Sequence, residues 1–189
     1  VAKKVQGAEV KIVATYDDYQ QFPDDGKRYE IIEGEVYVTP APSADHQRVL
    51  RDLVLMVAPW VEKKKLGEIF FAPFDVVMDQ TNVVQPDLVF IAKEHADRIA
   101  HGLTGSPELA VEILSPTTRK RDRTIKLRTY EQHGVGHLWL IDPESHDLEE
   151  YVLGKKKYSL ATKLAGGAVF EPAVFPGLEV PLVGLWPKK

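Results

Sequence analysis

Two acids stand out for the company they keep. Glu112 sits in the middle of the apolar run Leu109-Ala110-Val111-Glu112-Ile113-Leu114, and Asp87 follows Pro86 and directly precedes Leu88-Val89-Phe90-Ile91. Both stretches have the composition of buried strands, where a lone carboxylate is costly unless it is paired, hydrogen-bonded or bound to a cation. Two acids on neighbouring strands could share one hard cation, because Mg²⁺ favours a few carboxylates plus waters. The plainer reading is that strand alternation puts Glu112 on a solvated face, opposite Val111 and Ile113.

Past the Ser115-Pro116 turn the charge changes sign. Arg119, Lys120, Arg121, Arg123, Lys126 and Arg128 face a single acid, Asp122, within ten residues. One reading is a solvated helix face, with Asp122 and Lys126 as a favourable i, i+4 pair. In the other, Lys126 lies about two turns into a helix and reaches back over the strand end. Its ammonium would there hold a water or a phosphoryl oxygen beside the metal, while Arg119, Arg121 and Arg123 grip phosphates. The spacing accommodates both. Ser115 has no obvious His base in sequence and reads as a turn or cap residue.

The elements that must position these groups can be read in order. A short helix starts at a Thr15 cap in TYDDYQQF and closes at PDDG, and RYEIIEGEVYVTP alternates around Glu33-Gly34 as a hairpin. Val49, Leu50, Leu53, Val54, Val57 and Val61 recur at helical spacing. Ser43 or Asp45 caps that helix, Gly67 ends it and Pro59 is expected to kink or divide it. Three strands follow, EIFFAPFDVVMD, QPDLVFIA and PELAVEILS, with KEHADRIAHGLTGS as a loop or short helix before the last. A helical segment from Thr118 to His133 stops at Gly134, and HLWLID reads as a strand buried on both faces. The expected fold is α/β: a mixed sheet flanked by helices, with extra strands at both ends.

The 189 residues suit a single domain. Its core is expected over about 44–143, an N-terminal helix and hairpin over 15–40, and β additions over 147–183. The chain is 44% hydrophobic and 28% charged, and no tract nears the roughly 20 apolar residues that cross a bilayer. The opening VAKKVQGAEV has no apolar h-region of signal-peptide type. With no Cys, disulfides, thiolate metal sites and thiol nucleophiles are excluded. A cytoplasmic protein is the expectation. A net charge of −4 argues against coating nucleic acid by bulk electrostatics, yet leaves room for a local basic patch beside an acidic pocket.

RYEIIEGEVYVTPAPSADHQ, QPDLVFI and LAVEILSPTTRKRDRTIKLRTYEQHGVGHLWLIDPE together resemble the Uma-two family of bacterial restriction-endonuclease-like proteins, within the PD-(D/E)XK nuclease superfamily. The resemblance runs from about Thr15 to Tyr151, and VEILSPTTRKRD with the later K, Y, GV and WLID is its most specific part. It implies a restriction-endonuclease-like core, with Asp87 as the PD acid and Glu112 as the (D/E)XK acid. The superfamily lysine would stand two residues after that acid, where this chain has Leu114. In this family the following helix is thought to supply it, which points to Lys126. Glu30 matches an upstream acid that often completes such sites, with Glu33 and Glu35 close by. His46 occupies a recurrent position, read here as structural or capping.

The implied activity is hydrolysis of DNA phosphodiesters. Asp87, Glu112 and the Ile113 backbone carbonyl would bind Mg²⁺ or Mn²⁺, Glu30 would assist through water, and Lys126 would orient the attacking water. Duplex DNA and a homodimer are the expected partners. Phe170, Phe175 and Trp186 either make the dimer interface or cap the core. The other readings are a weak or inactive nucleic-acid-binding module on the same scaffold and a metal-dependent phosphoesterase of small substrates.

Overall fold

The computed structural model describes residues 3–5, 8–10 and 12–187. The N-terminal strands β1 (Lys3–Val5) and β2 (Ala8–Val10) pair antiparallel. Thr15 caps α1 (Tyr16–Tyr19) through a capping box, with each of Thr15 and Asp18 accepting from the other's backbone N–H. β3 (Arg28–Ile32) and β4 (Glu35–Thr39) form the expected hairpin. Its two turn residues, Glu33 and Gly34, have φ of 51° and 74°, the left-handed pair that suits the twist of a two-residue hairpin.

α2 (Ala44–Lys64) starts at Ser43, whose side chain accepts from the His46 N–H. Contrary to expectation, Pro59 leaves α2 in one piece. The hydrogen bond it forgoes falls at Leu55, 65% exposed, so water can take the orphaned carbonyl. Nor does Gly67 end the helix: Lys65 does, at φ 55°. Gly67 instead opens β5 (Gly67–Phe71), where a Cβ would stand 2.0 Å from the Ile91 carbonyl oxygen.

The stretch expected as one strand, EIFFAPFDVVMD, is two. β5 stops before the Ala72-Pro73 peptide, and β6 (Val76–Asp79) turns back into β7 (Asn82–Val84) in a different sheet. Proline has no N–H to give a ladder, so the run cannot continue through it. β8 (Leu88–Ala92), a 3₁₀ turn over Lys93–Arg98, β9 (Leu103–Thr104) and β10 (Leu109–Ile113) follow. The helical segment is composite: α3 (Arg119–Arg121), a π-helical turn over Asp122–Lys126, and α4 (Leu127–Gln132). The remainder is β11 (His137–Asp142), β12 (Asp147–Leu153), β13 (Tyr158–Ala165), β14 (Val169–Phe170) and β15 (Val180–Pro181).

The central sheet has the order β13-β12-β11-β10-β8-β5 and is mixed: β10 and β11 run parallel, joined by the α3–α4 crossover. A second sheet, β4-β3-β7-β6-β9, carries the N-terminal hairpin. Strand alternation divides the core. Leu88, Phe90, Leu109, Val111, Ile113 and Trp139 pack on the α2 stripe Val49, Leu53, Val57 and Val61. Val89, Ile91, Ala110, Leu138 and Leu140 face the other way, onto Ile32 and Val84 of the second sheet and onto Tyr130. Glu112 shares that second face with Ala110 and Leu114, and α4 with the π turn covers it. Both faces are therefore buried, and the solvated face is not there.

Phe170 and Phe175 are fully buried and meet Trp139 edge-on, so these two aromatics close the core beneath α2. Trp186 stacks on His146. Among the described residues no helix is long and apolar enough to cross a membrane.

Candidate functional site

Asp87, Glu112, Lys126 and Glu30 line one cavity of about 260 Å³ at the end of the central sheet where β10 finishes and β8 begins. All four are buried. The π turn brings Lys126 there. Asp122 and Lys126, four residues apart, lie on its inner face and are both buried, while their neighbours Arg121, Arg123 and Thr124 are not. The Lys126 ammonium donates to Glu112 Oε1 at 2.7 Å and to Glu30 Oε1 at 2.8 Å. One turn later Tyr130, with no exposure, donates its hydroxyl to the same Glu112 oxygen.

Glu30 is saturated. Lys126 and the Gln85 N–H reach Oε1, while Arg121 at 3.2 Å and the Thr39 hydroxyl reach Oε2. Burial opposes its charge, but Lys126 and Arg121 hold its carboxyl below the usual range. Glu30 is thus built to fix Lys126 and Arg121, and it offers no oxygen of its own.

Asp87 Oδ2 accepts from the Ile113 N–H at 2.8 Å and from His46 Nε2 at 3.0 Å. Burial works against the charge here too, yet His46 and the amide keep the Asp87 pKa low. An ionised carboxylate only accepts, so Nε2 of His46 carries the proton. His46 is not the cap of α2, which is Ser43; its side chain is structural and fixes the Asp87 rotamer. The N–H and C=O of a strand residue leave by the same edge, so the Ile113 carbonyl projects toward Asp87.

Glu112 is the acid left short of positive charge. Burial, together with Asp122, Asp87 and Glu30, outweighs Lys126 and pushes its carboxyl up to about 8. Burial opposes the charge of Lys126, but Glu112, Glu30 and Asp122 hold its ammonium above its ordinary pKa, so the lysine stays charged. Asp122 is likewise pushed up, chiefly by burial.

The donor set fits a hard divalent cation. Among the described residues Glu112 Oε2 accepts no hydrogen bond, and Asp87 Oδ1 has one long contact, 3.4 Å from Arg28. Buried polar atoms without a hydrogen bond also gather here: Arg28 Nε, His46 Nδ1, Gln85 Oε1, and Arg121 Nε and Asp122 Oδ1, which face each other at 3.8 Å, all belong to residues lining the cavity. Unpaired buried polar groups are rare and mark places built for ligand, ion or water. Among the described residues no group of three or more His, Asp or Glu forms a ready-made metal cage. Glu112 Oε2, Asp87 Oδ1 and the Ile113 carbonyl are the oxygens that would be offered to such a cation, with waters completing its shell.

The three arginines expected to grip phosphates are occupied. Arg119 pairs with Asp142 and Glu144, Arg123 with Glu149, and Arg121 with Glu30. Arg121 alone of the three lines the cavity. Ser115 bonds Thr117 and Thr118 as a turn residue. Glu33 pairs with Arg128 on the surface. Sequence reading missed Tyr130, Gln85 and Arg28. Tyr130 sits four residues after Lys126, a spacing that could have linked them; Arg28 sits two before Glu30, on the same strand face.

The family model described as "Putative restriction endonuclease", Uma2, matches residues 16–183. A crystal structure described as a "putative nuclease belonging to DUF820", from Anabaena variabilis ATCC 29413, shares the fold with a TM-score of 0.78 and 21% identity. The similarity covers 91% of this chain and 97% of that one. No curated protein matches the chain.

Proposed function

The chain belongs to the Uma2 family, and on that premise we propose that it is a metal-dependent nuclease that hydrolyses DNA phosphodiester bonds. The observation that carries the reading is the buried ammonium of Lys126 held between Glu112 and Glu30, in the cavity that Asp87 also lines. Asp87, Glu112 and the Ile113 carbonyl would hold Mg²⁺ or Mn²⁺. When bound, the ion would lower the pKa of a coordinated water and offset charge growing on the phosphorane-like transition state.

The chain's own groups do the rest. His46 and the Ile113 amide hold Asp87 with one oxygen toward the cavity, and Tyr130 holds Glu112 likewise. Lys126 carries a proton on Nζ and donates a hydrogen bond to the attacking water or to a non-bridging phosphate oxygen. Glu30 keeps that ammonium in place. The lysine thus arrives from the helix rather than from the strand position filled by Leu114.

Duplex DNA as substrate and a homodimer able to cut both strands belong to the same proposal. The small cavity, about 260 Å³, also favours a second reading, a phosphoesterase of small phosphate esters. One screen separates them: linear, supercoiled and single-stranded DNA and free nucleotides, with Mg²⁺, Mn²⁺ or EDTA, for the parent and Glu112→Gln. We expect parental DNA cleavage that needs metal and is lost in Glu112→Gln, whose melting stays cooperative. Equal cutting by Glu112→Gln sinks the proposed site; turnover of nucleotides alone favours the second reading.

A further inference from the structure

Arg28 differs from the other arginines near the cavity. Arg119, Arg121 and Arg123 reach carboxylates at 2.6 Å, 3.2 Å and 2.6 Å respectively. Arg28 makes one contact, Nη1 to Asp87 Oδ1 at 3.4 Å, at the long limit of a hydrogen bond. Its Nε is buried with no partner among the described residues. A guanidinium presents five donors in a rigid fork, so most of this one's capacity is unspent.

Its position gives those donors a direction. Arg28 lines the 260 Å³ cavity and also an adjoining hollow of about 370 Å³ that runs toward Ala72 and Pro73. Asp87 and Pro42 line both. The guanidinium therefore stands where the two hollows meet, beside the acid proposed to hold the metal, with its side chain 21% exposed and reachable. A polymer laid along both hollows would pass a phosphate over it. The two non-bridging oxygens of a phosphodiester match two parallel guanidinium donors.

We propose that Arg28 is a phosphate-binding residue, gripping the DNA phosphodiester next to the one that is cleaved. This rests on the nuclease reading above. It moves the phosphate grip from Arg119 and Arg123, whose charge is already spent, to a residue whose charge is largely free. Such a backbone contact carries no sequence information.

Binding of fluorescent single-stranded and duplex DNA should be measured by anisotropy across salt, in the cleavage-deficient Glu112→Gln background. Adding Arg28→Ala should weaken binding roughly tenfold at low salt and flatten the plot of log affinity against log salt by about one. Arg28→Lys should restore the slope and only part of the affinity, because an ammonium lacks the fork. A purely structural arginine would change melting and leave the salt slope alone. Arg28→Gln serves as the neutral variant if Arg28→Ala does not fold. An unchanged slope and affinity in a protein that binds DNA overturns the role of Arg28 and leaves the nuclease reading standing. A parent that neither binds nor cuts any DNA overturns both.

Discussion

Lys126 is where stability and chemistry meet in one side chain. Its ammonium lies between two buried acids, Glu30 and Glu112, and removing one partner of a buried ion pair costs about 3–5 kcal/mol. Lys126→Met, close in volume, should therefore lose that much in urea denaturation as well as its cleavage. Loss of cleavage with unchanged stability would mean that the ion pairs with Glu30 and Glu112 do not persist in solution. Tyr130→Phe is gentler. It deletes one hydroxyl from a fully buried contact with Glu112 and should destabilise by about 1–3 kcal/mol. Because the free Glu112 oxygen is then less well aimed, Mn²⁺ affinity read by calorimetry should fall as well. Undiminished Mn²⁺ affinity would confine Tyr130 to a role in packing.

At the scale of elements, the π turn sets the relative angle of Arg121 and Lys126, which approach opposite oxygens of Glu30. Deleting Thr124, which is exposed and bonds only its own helix through the Lys120 carbonyl, should return the segment to α-helical winding. Four α steps of about 100° then turn Lys126 to nearly the angle that five steps of the wider turn give, so both ion pairs with Glu30 should survive. Circular dichroism should keep its helical signal and activity should survive; lost activity would show that the π turn itself is needed. Gly67 is a second element-scale constraint. A methyl there meets rigid backbone, the Ile91 carbonyl, so Gly67→Ala should separate β5 from β8 and lower the melting temperature by several degrees. An unchanged melting curve would contradict that close approach.

For the molecule as a whole, the second sheet is tied to the helical crossover by a side-chain hydrogen bond. Asp79, at the end of β6, meets His133 Nε2 at 2.8 Å at the end of α4. Burial disfavours its charge, but His133, Thr81 and Asn82 bring its pKa down from 3.8 to about 2. A carboxyl whose folded pKa lies below its unfolded one adds stability above pH 3.8, and that stability is lost as pH falls toward 2. Asp79→Asn should therefore weaken the parent at pH 6 and converge with it near pH 2 in denaturant melts. A constant gap between the two would remove the linkage. The side chain is 45% exposed, so solvent screening keeps the effect small.

The sequence by itself determined the elements whose signal is local. Thr15 and Asp18 write a capping box, Glu33-Gly34 writes a hairpin turn, and the α2 stripe writes an amphipathic helix. The pairing of Asp87 with Glu112 was also legible, since a carboxylate among strand residues is conspicuous wherever the strand lies. Spacing left Lys126 as one of two readings, and resemblance to known proteins favoured it and alone brought Glu30 into the site. Only the tertiary structure decided what each charge spends itself on. Arg119 and Arg123 look like phosphate ligands until Asp142, Glu144 and Glu149 from β11, β12 and their turn close on them. Glu30 reads as an acid that assists the metal through water, whereas in the fold its oxygens meet Lys126, Arg121, Gln85 and Thr39. The physical reason is the same throughout: local pattern fixes which residues point inward, whereas the partner of a buried charge comes from elsewhere in the chain, and only the packed fold supplies it.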